Sequence, residues 1–557
     1  MGDSKFYGLR GQRLALAVGI IAGVDFFLFG YDQGVMGGLL TLPSFTSVFP
    51  EIDTRNVAPD SPRATTQGIT IGSYNLGCFA GAIACIWLGN MLGRRKTIFL
   101  GTSIMVVGAI LQCTPGSIPG TQGLPQLIVG RVITGFGNGL STSTVPTWQS
   151  ETSAAHKRGQ FVMIEGALIT CGIMVSYWLD FGLSFVNSSV SWRFPIAFQI
   201  VPAIIILTFI LQLPESPRWL ILKGREDEAS QVLSALLDLP EDDRRVVTEF
   251  HLIKETVLES SQGSFRDCFT MDKNRNFHRA ALGYVNQMFQ QISGINLITY
   301  YAATIYENSI GLDPTLSRLL AAANGTEYFA ASWIAVFTIE KFGRRQLMLF
   351  GSFGMTASMA ILAGTTSQTG NAQMGIAAAV FLFVFNTFFA IGWLGMTWLY
   401  PSEIVPLRIR APSSALSTSA NWIFNFLVVM ITPVAFASIG YKTYIIFAVI
   451  NAFIIPCVYF FYPETAYRSL EEMDGIFQQA TNVFDVVRLA RPDVTPNKYD
   501  KHGKFIMSDD EDSETTGSGR GIHGSGEVGL ENKGRSGHNE AYQAEGGFAG
   551  KSEKEGL

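Results

Sequence analysis

The chain has 557 residues, 48% hydrophobic and only 15% charged, with a net charge of −5. A soluble protein carries about 25% charged residues, so this one is short of polar surface and does not read as a soluble enzyme. Much of the acid sits in one tail, and no basic face points to nucleic acid.

The N-terminal MGDSKFYGLRGQR leads into a long apolar run from Leu14 that contains Asp25 and Asp32. No small-residue cleavage site follows a short apolar core, so this run reads as a retained span. Twelve helical spans use about 240 residues, and twelve apolar windows are present. They lie near 14–36, 68–89, 97–113, 125–147, 160–182 and 193–212, then 278–304, 315–338, 347–364, 374–400, 411–435 and 441–462. The polar stretch Leu213 to Phe277 holds EDEASQVLSALLDL and VVTEFHLIKETVLES, whose periodicity and charged faces predict short linker helices at the membrane surface. From about Tyr499 onward Gly, Ser, Glu and Lys dominate, and such a segment is expected to be disordered.

Basic residues set the expected orientation. Arg94, Arg95 and Lys96 follow the second window, Lys157 and Arg158 the fourth, Arg344 and Arg345 the eighth, and Arg408 and Arg410 the tenth. The positive-inside rule places both termini and the linker in the cytosol. The expected organisation is a cytosolic N-terminus (1–13), a six-helix half (14–212), a cytosolic helical linker (213–277), a second six-helix half (278–462) and a cytosolic tail (463–557).

Internal repetition is the strongest signal. GRR at 93–95 recurs at 343–345, Glu151 with Arg158 recurs as Glu403 with Arg410, and Pro214-Glu215-Ser216-Pro217-Arg218 is echoed by Pro463-Glu464-Thr465 with Arg468. All three offsets are about 250 residues. Two parallel halves of this kind bind substrate near mid-membrane at their interface and alternate access to it. The expected fold is therefore all-α, with twelve transmembrane helices in two halves, and the expected function is transport.

Several longer motifs resemble the sugar porter family of the major facilitator superfamily, over about residues 10–475. They are FGYDQG at 29–34, GRVITGFGNG at 130–139, PESPRWL at 214–220, QQISGIN at 290–296, EKFGRR at 340–345, WLYPSEIVPLRIR at 398–410, NWIFNF at 421–426, and PET at 463–465 with SLEEMD at 469–474. Their wording is most similar to the monosaccharide transporters of filamentous fungi. There are departures. Asn90 and Met91 replace the charged pair before the first GRR, Gly166 stands next to Glu165 where span five usually offers a Gln, and Tyr328 replaces a polar amide beside Glu327.

Asp32 and Arg131 are charges in mid-span, costing ~2.5–3.5 kcal/mol each on insertion scales and expected to offset one another. The resemblance implies that Asp32 takes up a proton and lets go of Arg131; a permanent structural pair is the alternative. Asp25 is a weaker candidate, open to local pairing. Sugars offer hydroxyls and a nearly apolar ring face, which suits amides and an aromatic plate. Gln290, Gln291, Asn296, Trp398, Asn421, Trp422 and Asn425 match sugar-contacting positions of the family; interhelical bonding is the plainer role for them.

Tyr300 and Tyr301 are candidates for an outer gate, and Gly392 and Gly395 for a bend in the tenth helix. Arg94, Arg95, Glu151, Arg158, Glu215 and Arg218 in one half, with Arg344, Arg345, Glu403, Arg410 and Glu464 in the other, are expected to latch the halves together at their cytosolic ends in the outward-open state and to release as they rock; setting the orientation alone is the plainer role for them. Asn187-Ser-Ser is a glycosylation sequon on an outer loop, whereas Asn324-Gly-Thr lies inside the eighth window.

No nucleophile–base pair, CxxC motif or metal cluster appears, so neither catalysis, a metal nor a cofactor is expected, and the proton gradient supplies the drive. The sequence thus reads as a plasma-membrane monosaccharide transporter, functional as a monomer in the lipid bilayer, that takes up glucose and related hexoses with protons. A facilitative hexose carrier and a transporter-like sugar sensor signalling through its tail are the alternatives; a drug antiporter is disfavoured by the amides.

Overall fold

In a bilayer, backbone groups have no water to bond, so apolar runs of some twenty residues close into helices. The computed structural model describes residues 5–55, 61–115, 123–152, 158–261, 264–368, 371–468 and 470–496. Within these, every regular element is helical. Spans 1 to 6 are Gly11–Leu39, Arg63–Leu92, Arg94–Cys113, Gly123–Thr152, Arg158–Leu183 and Val190–Gln212. Span 7 is Asn276–Gln290 continued as Asn296–Thr304, and spans 8 and 9 are Pro314–Phe342 and Arg344–Thr366. Span 10 is Ala372–Phe389 continued as Met396–Ile404, and spans 11 and 12 are Leu407–Ile439 and Lys442–Phe461. The tail expected to be disordered lies outside the described residues.

Among the described residues nine helices are long and apolar enough to cross a membrane. Spans 4, 7 and 8 are the other three, and each is less apolar for a visible reason. Span 4 carries Arg131 among Gly, Ser and Thr, span 7 is interrupted after Gln290, and span 8 carries Asn324 and Glu327. Their polar side chains are turned to the protein interior: Arg131 and Asn324 are buried, and Glu327 is mostly so.

Close packing rests on small residues, which let helix backbones approach where lipid offers no hydrophobic drive. A Cβ on Gly30 of span 1 would lie 1.9 Å from the carbonyl oxygen of Ile169 in span 5. One on Gly135 of span 4 would lie 2.0 Å from the carbonyl of Tyr74 in span 2. No side chain fits at either crossing.

The linker folds as Pro217–Leu222, Glu226–Leu237 and Arg244–Ser261. Their amphipathic faces meet in a small core that includes Trp219, Leu220, Val232, Leu233 and Val246. Ser264 and Asp267 cap the turn Phe265–Phe269 reciprocally, and Arg408 at the start of span 11 bonds to Asp267. After span 12, helix Leu470–Gln479 is held to span 7 by an Arg279–Asp474 ion pair. The linker, the GRR motifs and this helix mark one end of the molecule, called here the basic end; the opposite end is the far end.

Candidate functional site

Two helices are broken at the same depth, and the break is where the amides gather. Gln291–Ile295 in span 7 and Ala390–Leu394 in span 10 are π-helical. Such segments free carbonyls from the helical ladder. Gly294 sits at φ +106°, a conformation L side chains rarely adopt, and a Cβ there would meet Met359 at 2.7 Å. Gln290 Nε2 donates to the carbonyls of Trp393 and Leu394, both at 3.2 Å, joining one break to the other. Gly392 lies within the second break, where the bend is expected, and also packs closely on Gly351 of span 9.

From Gln290 the network spreads through neighbouring amides. Gln291 Nε2 donates to Gln290 Oε1 at 2.9 Å, and Asn296 Nδ2 donates to Gln291 Oε1 at 2.5 Å. Asn421 Nδ2 of span 11 donates to Gln290 Oε1 at 3.2 Å and to Gln287 Oε1 at 2.7 Å. Gln287, one turn before Gln291 on the same helix face, was missed in the sequence although that spacing marks it. Asn425 belongs to a second group: Asn75 of span 2 donates to its Oδ1 at 3.0 Å, and the Tyr300 hydroxyl donates to Asn75 at 3.2 Å. Asn75 was also missed. Its partner is 350 positions away, and no local pattern signals it.

Trp422 is fully buried between the halves, edge-on to Phe29 of span 1 at 5.3 Å and to Tyr74 of span 2 at 6.3 Å. Along the same stretch of span 11, Asn421 Oδ1, Trp422 Nε1 and Asn425 Nδ2 are buried polar atoms with no protein partner. Trp398 is only partly buried, beyond the π segment towards the basic end, and the structure does not join it to the amides. The tryptophan behind the cluster is Trp393, which packs edge-on to Phe289 and donates to Ser352 at 2.9 Å. Tyr328 packs on Phe389, while Asn386 and Thr387 donate to Asn324 and Glu327 between spans 8 and 10.

The first half supplies charge. Asp32 is fully buried and faces the Arg131 guanidinium and the Tyr74 hydroxyl. Neither carboxylate oxygen has a hydrogen-bond partner. Arg131 instead donates from Nη2 to the carbonyl of Ile71 at 3.1 Å and lies over the Tyr74 ring, 5.3 Å from its centroid. The two charges share a cluster without a closed ion pair.

At the far end the halves are bonded to each other. The Tyr177 hydroxyl of span 5 donates to the carbonyl of Thr299 at 2.7 Å. Arg318 of span 8 grips Thr41 at the end of span 1, from Nε to Oγ1 at 2.9 Å and from Nη2 to the carbonyl at 2.7 Å. Tyr300 and Tyr301 are both buried here, Tyr301 donating to the carbonyl of Val429 at 2.8 Å. Asn187 is exposed on the loop before span 6.

With the far end bonded shut, the charged motifs at the basic end pair, among the described residues, within each half, and the latch expected of the outward-open state is not engaged in this conformation. Glu215 accepts from the backbone N–H of Arg94 and Arg95, and the Arg94 side chain pairs with Glu151 at 3.0 Å. Glu464 accepts likewise from Arg344 and Arg345, and the Arg344 side chain pairs with Glu403 at 2.8 Å and Glu340 at 3.0 Å. These pairs all close within one half. The reason is local. A carboxylate caps each helix N-terminus that begins at GRR, and Gly93 and Gly343, at φ +86° and +83°, leave room for it. Arg218 is partly buried on the first turn of its linker helix, and Arg410 donates to the carbonyl of Val405. The Arg158 side chain lies outside the described residues.

Comparison with known proteins agrees with this geometry. The family model described as "Sugar (and other) transporter" matches residues 18–477. The chain belongs to that family, and with it to the sugar porters of the major facilitator superfamily. It is 41% identical to Sugar transporter STL1 of Saccharomyces cerevisiae, over 86% of this chain and 84% of that one. It is 39% identical to the Major facilitator superfamily transporter mfsA of Aspergillus fumigatus, over 85% and 88%. It is also 32% identical to High glucose sensor RGT2 of S. cerevisiae, over 85% of this chain and 62% of that one. Among solved structures, the proton:xylose symporter XylE bound to 6-bromo-6-deoxy-D-glucose superposes with a TM-score of 0.70 at 23% identity, covering 83% of this chain and 99% of that one. That likeness concerns the fold. The family is one of multi-pass membrane sugar transporters, not enzymes.

Proposed function

We propose that the protein takes up glucose and related hexoses across the plasma membrane together with protons, by alternating access, as a monomer with its basic end and both termini in the cytosol. The observation that carries the sugar part is the row of unpartnered buried polar atoms on span 11, beside the Gln287–Gln290–Gln291–Asn296 network. A pyranose presents several hydroxyls that donate and accept, and amides answer both needs. Trp422 supplies a flat apolar face next to them.

Asp32 carries the proton part. A carboxyl without a hydrogen-bonded partner, beside an arginine bonded elsewhere, is the arrangement a protonated Asp32 would leave. On losing the proton it would draw Arg131 from Ile71, and spans 1 and 4 would shift against the sugar site. With the far end bonded shut, this conformation would release sugar towards the basic end. The basic-end networks then act within each half, keeping each rigid as it rocks.

The test is radiolabelled glucose uptake in cells lacking their own hexose carriers, with and without a protonophore. Accumulation that collapses with the protonophore is expected; uptake that only equilibrates would make the protein a facilitative carrier. Similarity to a glucose sensor favours a second reading, in which the C-terminal tail signals. Tail deletion that removes sugar-dependent signalling and leaves uptake intact would support it.

A further inference from the structure

Asp32 is not the only acid buried in the first half. Asp25 of span 1 is 2% exposed and Glu165 of span 5 is 4% exposed. Spans 1 and 5 run side by side at this level, with Gly23 against Leu168 and Gly172 against the Phe27 carbonyl. That crossing sets Glu165 within electrostatic reach of Asp25. From span 4, fully buried Ser141 faces Asp25, and its hydroxyl has no other partner. Both Asp25 oxygens are likewise without a closed hydrogen bond. Among the described residues, these three side chains are the titratable and polar groups that face one another here, while buried Arg131 faces Asp32.

Two carboxylates within electrostatic reach of each other in a dry site do not both stay ionised. With no cationic side chain among the described residues turned to them, a proton is the counter-ion that fits, and the Ser141 hydroxyl can bond Asp25 when that carboxyl is the charged one. Asp25 precedes Asp32 by seven residues, two helical turns or about 10.5 Å, on nearly the same face of span 1. Span 1 begins at the basic end, so the pair lies between Asp32 and that end.

We propose that Asp25 and Glu165 form a proton-sharing pair that receives the proton given up by Asp32 and passes it to the basic end. The step is a proton transfer alone. Asp32 gives its proton to water admitted from the basic end as its O–H breaks, the pair takes a proton from that water as an O–H forms on it, and the proton the pair already held leaves to water on the cytosolic side. The relay role rests on the proton-coupled reading above, whereas the shared proton itself does not.

The experiment uses full-length protein, purified and reconstituted in sodium-free vesicles, with Glu165→Gln and Asp25→Asn compared with wild type. Infrared difference spectra on raising the pH should show the C=O stretch of a protonated carboxyl, lost in each variant. Glucose counterflow at equal pH should stay within about twofold of wild type, showing a folded carrier. Net uptake driven by an imposed pH gradient should fall at least ~10-fold, the low side of what a positioned proton-transfer group contributes. A C=O band unchanged in both variants, or gradient-driven uptake equal to wild type, would overturn the relay. If wild type shows no gradient-driven uptake, the proton-coupled reading falls by itself, and the infrared band decides the pair: loss in both variants keeps the shared proton, and absence in wild type removes it.

Discussion

The two halves share one scaffold and differ in what they bury. At the basic end they match part for part. Glu215 and Glu464 cap the helices that start at Arg94 and Arg344, and the two arginines reach Glu151 and Glu403. Trp148 and Tyr400 donate to the carbonyls of Pro214 and Pro463. Further in, the likeness ends: the first half buries the acids Asp25, Asp32, Glu165 and Asp180 with Arg131, whereas the second joins Gln287, Gln290, Gln291, Asn296 and Asn421 into one amide network, and its Asn425 bonds to Asn75 of the first half. Carboxyls suit a proton and amides suit hydroxyls. On the function proposed above, a duplicated frame has kept its joints and divided two binding tasks between its interiors.

The strongest way to break that division is at Asp32. Asp32→Asn should abolish accumulation against a gradient while sugar exchange continues, because the amide network around Gln290 lies in the other half. Uptake and counterflow of radiolabelled sugar in vesicles separate the two; full accumulation by the variant would end the division of labour.

The shared joints come next. Arg344 is 6% exposed at its side chain and serves both Glu340 and Glu403, whereas Arg94 is 16% exposed and serves Glu151. Removing one partner of a buried pair costs about 3–5 kcal/mol, so Arg344→Ala should lower the melting temperature of the purified protein more than Arg94→Ala does. Equal losses would mean that the two joints carry equal load despite their different burial.

A smaller effect belongs to the amides. Asn421→Ala removes bonds to Gln287 and Gln290 together with the free Oδ1 proposed for the sugar. One net hydrogen bond is worth about 1 kcal/mol, or roughly fivefold in affinity. The KM for sugar should therefore rise about fivefold with little change in the amount at the membrane, and a variant with unchanged KM would leave Asn421 as interhelical glue.

How much of this could be read in the sequence follows from where the partners lie. The span windows and the GRR, PES and PET motifs are local, because a helix and its cap are built from neighbours in the chain. Spans 4, 7 and 8 gave weaker windows for the same reason that they matter, since an interior polar face dilutes the apolar signal. Contacts between distant segments were not legible. Asn75 with Asn425, Trp422 with Phe29, and Arg318 with Thr41 join residues hundreds of positions apart. The charged motifs at the basic end showed their composition without showing whether they would pair across the halves or within one. Trp398 and Trp393 sit in the same span, and only the π segment decides which of them stands behind the amides.

The smallest expected effect lies outside both interiors, where the linker is tied to span 11. The Ser264 backbone N–H and then the Arg408 guanidinium hold the Asp267 carboxyl below the usual carboxylate range. A folded-state value below the unfolded one stabilises the capped turn above the unfolded value, about 3.9, and that gain is lost as pH falls through the lower folded value. Asp267→Asn should therefore speed hydrogen exchange around residues 264–270 at neutral pH and remove its dependence on acidification below about pH 4. Sugar accumulation should stay near wild type, since neither interior is touched. A large loss of transport in this variant would mean that the linker takes part in the rocking of the halves, and that the division between them is not confined to what each half buries.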